Sequence, residues 1–236
     1  MGLFDTLLGR TKPVRANLDA LFALPSAAVT LQVTSGLVST GKAGVCFKPP
    51  SGQNFTDMQA ELEKLLELGD ATDPSGSAAP PAGSPAPAAG PPPASILTVR
   101  HVGDRFGYRW ILVEGGDLED LVTRVHMVHS SLEDAGWSAQ LLCSVFGFAP
   151  APAAGADGTG TSGDGDGPGS GPSDPVGRPI FLVYLAKQGT FYPFAPSGSE
   201  QRDTELELRI RGVLGTDLPV ETDLSRWFPI WDLPVA

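Results

Sequence analysis

The stretch Asp117-Leu118-Glu119-Asp120-Leu121-Val122-Thr123-Arg124-Val125-His126-Met127-Val128-His129-Ser130-Ser131-Leu132-Glu133-Asp134-Ala135-Gly136 carries the clearest periodicity in the chain. Leu118, Leu121, Val122, Val125, Val128 and Leu132 recur at helical spacing, which predicts an amphipathic helix over Asp117–Ala135. Gly136 sits where a left-handed residue closes a helix. Upstream, Ile96–Val99 and Tyr108–Val113 read as two strands joined by Gly103-Asp104-Arg105-Phe106-Gly107. Downstream, Ala139–Phe148 reads as a buried strand. A hairpin followed by a helix and another strand points to an antiparallel sheet with helices to one side, the α+β class.

The same rhythm extends both ways from this stretch. Asn17 can cap a short helix carrying Leu18, Leu21 and Phe22, which Pro25 is expected to stop. Ala27–Phe47 is rich in β-branched residues, with Ser35-Gly36 and Thr40-Gly41 as turn signals, and reads as one or two strands. Phe55–Leu68 has the helical pattern Met58, Leu62, Leu65, Leu66. Ile180–Ala186 reads as a strand, Lys187-Gln188-Gly189 as a turn, and Thr190–Tyr192 as a short strand that Pro193 limits to an edge. Ser199 or Asp203 caps a last helix running to Leu214, with Leu206, Ile210, Val213 and Leu214 inward.

Composition separates a body from two inserts. The chain has 236 residues, with 29 Gly and 23 Pro. Residues 69–94 and 149–178 hold 13 of those Gly and 13 of those Pro, and no aromatic residue. Such segments cannot bury enough apolar surface to fold and read as disordered. The expected organisation is an N-terminal amphipathic helix and linker, residues 1–16, then one α+β domain, residues 17–231, interrupted by those inserts. The formal net charge is −11, which argues against a nucleic-acid footprint. Two cysteines exclude a disulfide framework or a CxxC metal knuckle. The apolar runs fall short of the ~20 residues of a membrane span, and no signal peptide is visible. The chain reads as cytoplasmic.

Few motifs point to chemistry. Gly158-Thr159-Gly160-Thr161-Ser162-Gly163 fits GxGxxG, but no helix pattern follows it, so it reads as a chance match in a Gly-rich segment. Asp164-Gly165-Asp166-Gly167 lacks the downstream Glu of a calcium loop. His126, His129 and Glu133 could share one helix face and hold a metal for a hydrolase, although HExxH is absent. The competing reading is an ordinary polar helix face. Cys46 and Cys143 each lie in an apolar strand and read as buried thiols. No GxSxG elbow or P-loop is present. No catalytic constellation and no cofactor site emerge, and the chain is expected not to be an enzyme.

The two ends carry the remaining signals. Leu3, Phe4, Leu7 and Leu8 form one apolar face of a short helix, followed by Arg10, Lys12 and Arg15. Such a helix can dock on a protein surface or lie on anionic lipid with its basic residues. Met1-Gly2-Leu3-Phe4-Asp5-Thr6 also matches an acylation pattern. Phe191, Tyr192, Phe194, Arg226, Trp227 and Phe228 belong to dense aromatic–proline segments. They read either as core and edge packing or as an interaction surface.

Three stretches together resemble a known family: Met1–Pro13, Leu24–Gln32, and Lys187–Pro196 with Leu224–Pro229. The chain resembles the PspA-associated protein B family (PspAB) of high-GC bacteria. The resemblance implies a non-enzymatic accessory protein of the envelope-stress, or phage-shock, response. Its implied partner is PspA or another envelope-stress protein such as a membrane protease, met at the cytoplasmic membrane face. By looser analogy it implies a fold like type III secretion chaperones and YbjN-type proteins, a twisted antiparallel sheet with helices on one side. A chaperone-like homodimer that holds a client segment is the alternative drawn from that analogy. The docking residues so expected are Leu3, Phe4, Leu7, Leu8, Arg10 and Lys12, with Phe191, Tyr192, Phe194, Arg226, Trp227 and Phe228 as the aromatic surface.

Overall fold

The structure, a computed structural model, describes residues 17–49, 98–151 and 178–235. The expected N-terminal helix, the helix over Phe55–Leu68, the first insert and most of the second lie outside the described residues.

A 3-10 turn, Leu18–Ala23, leads directly into helix α1, Leu24–Ser35, and strand β1 follows at Leu37–Phe47. Two expectations are corrected here. Pro25 does not stop a helix; it lies in the first turn of α1, where its missing N–H has no intrahelical partner to lose. The β-branched residues Val29, Thr30, Val33 and Thr34 are helical rather than extended. Leu24, Ala27 and Leu31 recur on one side of α1 and are fully buried, so packing overrides their neighbours' strand preference. Ser35-Gly36 is the end of this helix. Gly36 has φ 63° and donates its N–H to the Gln32 carbonyl at 3.0 Å, a left-handed cap that glycine adopts without steric cost.

The expected hairpin is present as β2, Thr98–Gly103, and β3, Arg109–Glu114, with β2 running four residues past the expected Val99, through Gly103 of the expected loop. Helix α2 spans Leu118–Asp134. The Asp117 side chain caps it by accepting the Asp120 N–H at 2.9 Å. Strand β4, Leu141–Pro150, runs two residues into the segment read as the second insert, with Val38 opposite Ala149 and Leu37 opposite Pro150. Strands β5, Ile180–Leu185, and β6, Thr190–Phe194, flank the Lys187–Gly189 turn. A small hairpin, β7 (Pro196–Gly198) with β8 (Gln201–Arg202), precedes helix α3, Thr204–Leu214. Asp203, one of the two expected caps, accepts the Leu206 N–H at 3.0 Å.

The first six strands form one sheet in the order β2-β3-β1-β4-β5-β6, antiparallel at every pairing. The fold is therefore α+β. Alternation along the strands splits the interior into two layers. Ala43, Val45, Ile111, Val113, Phe146, Phe148, Leu182 and Tyr184 face α1, α2 and α3. Cys46, Trp110, Leu112, Cys143, Val145, Phe181 and Val183 face the opposite way, where Trp227, Leu233 and Val235 of the C-terminal segment cover them. The helices thus lie on one side, as the periodicity predicts, and a strap of irregular chain closes the other. Edge strand β6 is extended by a one-residue parallel bridge to Val220, held by Phe191 N–H to Pro219 O (2.8 Å) and Glu221 N–H to Phe191 O (2.7 Å).

Candidate functional site

The strap is fastened by specific polar contacts rather than by apolar packing alone. Glu207, on α3, is fully buried. Its carboxylate accepts the Ala195 N–H at 2.9 Å and is paired with Arg202, whose Nη2 lies 2.7 Å away. Arg202 in turn donates Nη1–H to the Trp227 carbonyl at 2.7 Å. Tyr192 stacks on Trp227 at 5.8 Å between ring centroids and donates its hydroxyl to the Phe228 carbonyl at 2.7 Å. Burial pushes the Tyr192 phenol up, so this hydroxyl stays a donor. Further along, Arg105 Nε pairs with Asp232 at 2.8 Å. Val235 lies over Gly44, where an added Cβ would come within 2.9 Å of Val235 Cγ1 and 3.2 Å of Leu112 Cδ2. Glycine lets the strap approach this closely without displacing those side chains.

Between strap and sheet lies a half-open cavity of about 610 Å³. Its walls come from four places: the strap residues Phe228–Trp231, the β2–β3 loop, the Lys187–Gln188 turn, and the sheet itself. Asp104 shapes the loop wall. Its carboxylate accepts the N–H groups of Phe106 and Tyr108, each at 2.9 Å, and the Trp110 indole N–H at 3.1 Å. The lining is mainly apolar, with Trp110, Leu142, Leu185 and Ile230, and the charged Asp104 and Lys187 complete it. Cys46 and Cys143 form part of the sheet wall. They stand directly opposite each other across β1 and β4, are buried, and are both free thiols. The hydrogen bond to Cys143, burial, and the charges of Cys143 and Asp104 all push the Cys46 thiol up.

A second surface feature belongs to α1. No charged residue occurs between Asp19 and Lys42. Val29 and Val33 are 61% and 80% exposed, on the side of α1 away from Leu24, Ala27 and Leu31, and Phe22 in the preceding 3-10 turn is 50% exposed. By length and composition the helical stretch Leu18–Ser35 is apolar enough to cross a membrane, and a third of it is buried in the fold. The apolar-run reading of the sequence missed this stretch, because Ser, Thr, Gln and Pro interrupt it.

The residues expected from sequence fare differently. Leu3, Phe4, Leu7, Leu8, Arg10 and Lys12 lie outside the described residues. Of the aromatic set, Phe191, Tyr192 and Phe194 are interior, each at most 1% exposed, and Trp227 is 5% exposed. Strand alternation puts Phe191 under the helices and Tyr192 and Phe194 under the strap. Their aromatic density is core packing, so as an exposed surface the set is corrected to Arg226 and Phe228, of which Phe228 is 62% exposed. The histidine trio is also corrected. His129 points into the sheet layer, with Nε2 2.6 Å from Ser144 Oγ and its ring edge-on to Tyr184 at 6.0 Å. Burial, and secondarily the His126 charge, hold its pKa down at about 4. His126 instead packs on Phe22 at 5.0 Å. Among the described residues no three His, Cys, Asp or Glu side chains converge as a metal site. What sequence reading missed is the facing of Cys46 and Cys143, which lie 97 positions apart and meet only through the sheet topology.

A family model described as PspA associated protein B matches residues 1–80 and 92–235. The gap in that match falls inside the first Pro/Ala-rich insert. No curated protein and no solved structure matches the chain significantly.

Proposed function

The chain belongs to the PspA associated protein B family, and on that premise we propose that it is a non-enzymatic accessory protein of the bacterial envelope-stress response. It binds PspA at the cytoplasmic face of the membrane. The observation that carries this reading is the family match along nearly the whole chain. The outer face of α1 supports it physically, since exposed apolar side chains on a charge-free helix lose contact with water when a partner covers them. The N-terminal apolar residues Leu3, Phe4, Leu7 and Leu8 precede that face in the sequence and act with it in docking.

The test is capture of purified PspA by the immobilised full chain. Retention of PspA is the expected result. Each valine contributes roughly 1.5–3 kcal/mol when fully covered. The pair Val29→Asp with Val33→Asp is therefore expected to weaken capture by at least about 100-fold. Deletion of residues 2–10 is expected to weaken it further, and to reduce co-sedimentation with anionic vesicles. Failure of the intact chain to retain PspA refutes the proposed partner. Equal retention by the Val29/Val33 variant refutes the α1 face.

A further inference from the structure

The register of the sheet places two thiols where a bond between them can form. Cys46 and Cys143 are direct partners in the antiparallel β1–β4 pair, the two central strands of the sheet. Residues so paired have Cα atoms about 4.5–5.5 Å apart. A disulfide requires about 4.4–6.8 Å. Both side chains point to the strap side, and both line the apolar cavity. The pairing slips immediately beyond them, between Cys46 and Phe47, where Leu142 is the extra residue of a bulge. A bulge lets the local ladder twist, which gives the strands room to adjust to a new bond.

We propose that Cys46 and Cys143 are an oxidative modification site, in which an organic hydroperoxide entering the apolar cavity converts the two thiols into a reversible disulfide. The cavity selects the oxidant by its walls. Trp110, Leu142, Leu185 and Ile230 take an alkyl or aryl group out of water, while the thiols face the peroxide end.

The two sulfurs have different roles. Cys46 is hydrogen-bonded to Cys143 and lies near the negative charge of Asp104, both of which keep Cys46 protonated. Cys143, 8% exposed against 4% for Cys46, is the more accessible of the two sulfurs and is the attacking one. It takes the terminal hydroxyl oxygen of ROOH, the O–O bond breaks, and ROH leaves after gaining a proton. The resulting Cys143 sulfenic acid is attacked by the Cys46 sulfur. The S–S bond forms, the S–OH bond breaks, and the hydroxide leaves as water with the Cys46 proton. Two thiols and one ROOH give one disulfide, ROH and water. The two sulfurs supply the two electrons that reduce the peroxide bond.

The test uses the reduced full chain treated with cumene hydroperoxide and analysed by intact mass and peptide mapping. The expected product has lost two hydrogen masses, yields a peptide linking Cys46 to Cys143, and reverts with dithiothreitol. Cumene hydroperoxide is expected to act at about tenfold lower concentration than hydrogen peroxide, because only its aryl group gains from the apolar walls. Cys46→Ser is expected to leave a dimedone-reactive sulfenic acid on Cys143, whereas Cys143→Ser leaves Cys46 unlabelled. Unchanged mass, links only between chains, or oxygen adducts without a linked peptide overturn the site. Equal potency of hydrogen peroxide overturns selection by the cavity. The linked peptide is read in the unsubstituted chain, so a poorly folding variant does not obscure the outcome.

Discussion

Replacing Glu207 by Ala removes the group on which three elements converge. Its carboxylate serves the buried amide of Ala195 at 2.9 Å and the guanidinium of Arg202, with Nε at 3.0 and 2.9 Å and Nη2 at 2.7 Å. Breaking a buried ion pair from one side costs about 3–5 kcal/mol, because the remaining charge is left uncompensated. The Arg202 side chain is 23% exposed and can recover some hydration, which favours the lower half of that range. Stranding the Ala195 amide adds to the loss, typically about 1–3 kcal/mol for a buried donor. The expected total for Glu207→Ala is about 5 kcal/mol. At roughly 2–4 °C per kcal/mol for a domain of this size, the melting temperature falls about 10–20 °C. Glu207→Gln keeps an acceptor for the amide and is expected to cost about half as much. Removing both charges together, Arg202→Met with Glu207→Leu, is expected to stay within about 1 kcal/mol of the original chain on the ion-pair account alone. The unpaired Ala195 amide and the lost Trp227 carbonyl contact add to that figure. Urea unfolding followed by tryptophan fluorescence measures all three. A loss below about 1 kcal/mol for Glu207→Ala, or equal losses for Ala and Gln, would refute the argument.

Two further perturbations probe the two faces of the sheet. Gly44→Ala places a methyl group 2.9 Å from Val235 and 3.3 Å from Trp110. It is expected to cost about 1–3 kcal/mol and to speed proteolytic cleavage within residues 227–235 in a timed digest. His129, at about 4 in the fold against an ordinary 6.5, is held neutral chiefly by burial. The unfolded chain takes up this proton first, so stability is lost as pH falls from about 6.5 towards 4, by about 3 kcal/mol in all. The difference in unfolding free energy between the unsubstituted chain and His129→Leu should change over that window and be flat above pH 7.

Much of the sheet and two of the three described helices are legible in the sequence. For α2 and α3 the local signals agree, since caps, apolar spacing and stop positions all fall where the structure puts them. The third, α1, is hidden because its own signals conflict. Pro25 and the β-branched residues speak for a break and a strand, while Leu24, Ala27 and Leu31 win by burial against the sheet. The candidate site is less legible, for a different reason. Strand alternation is visible locally, but which strand lies beside which is not. Tyr192 and Phe194 look like an exposed aromatic run until a segment more than thirty positions later is seen to cover them. Cys46 and Cys143 look like two unrelated buried thiols until β1 is seen beside β4.

The strap has a consequence for the chain's synthesis. The last residue of β6 is Phe194, and the apolar back of the sheet is not covered until Val235 has been added. At typical elongation rates the ribosome needs roughly 2–8 s to cross that interval. Until the strap has emerged and docked, a nascent chain that has paired its strands displays Trp110, Phe181, Tyr192 and Phe194 to the cell. A ribosome stalled there, or a premature stop codon, leaves the same aromatic surface bare. That makes it a natural landing place for trigger-type chaperones and a recognition signal for quality-control proteases.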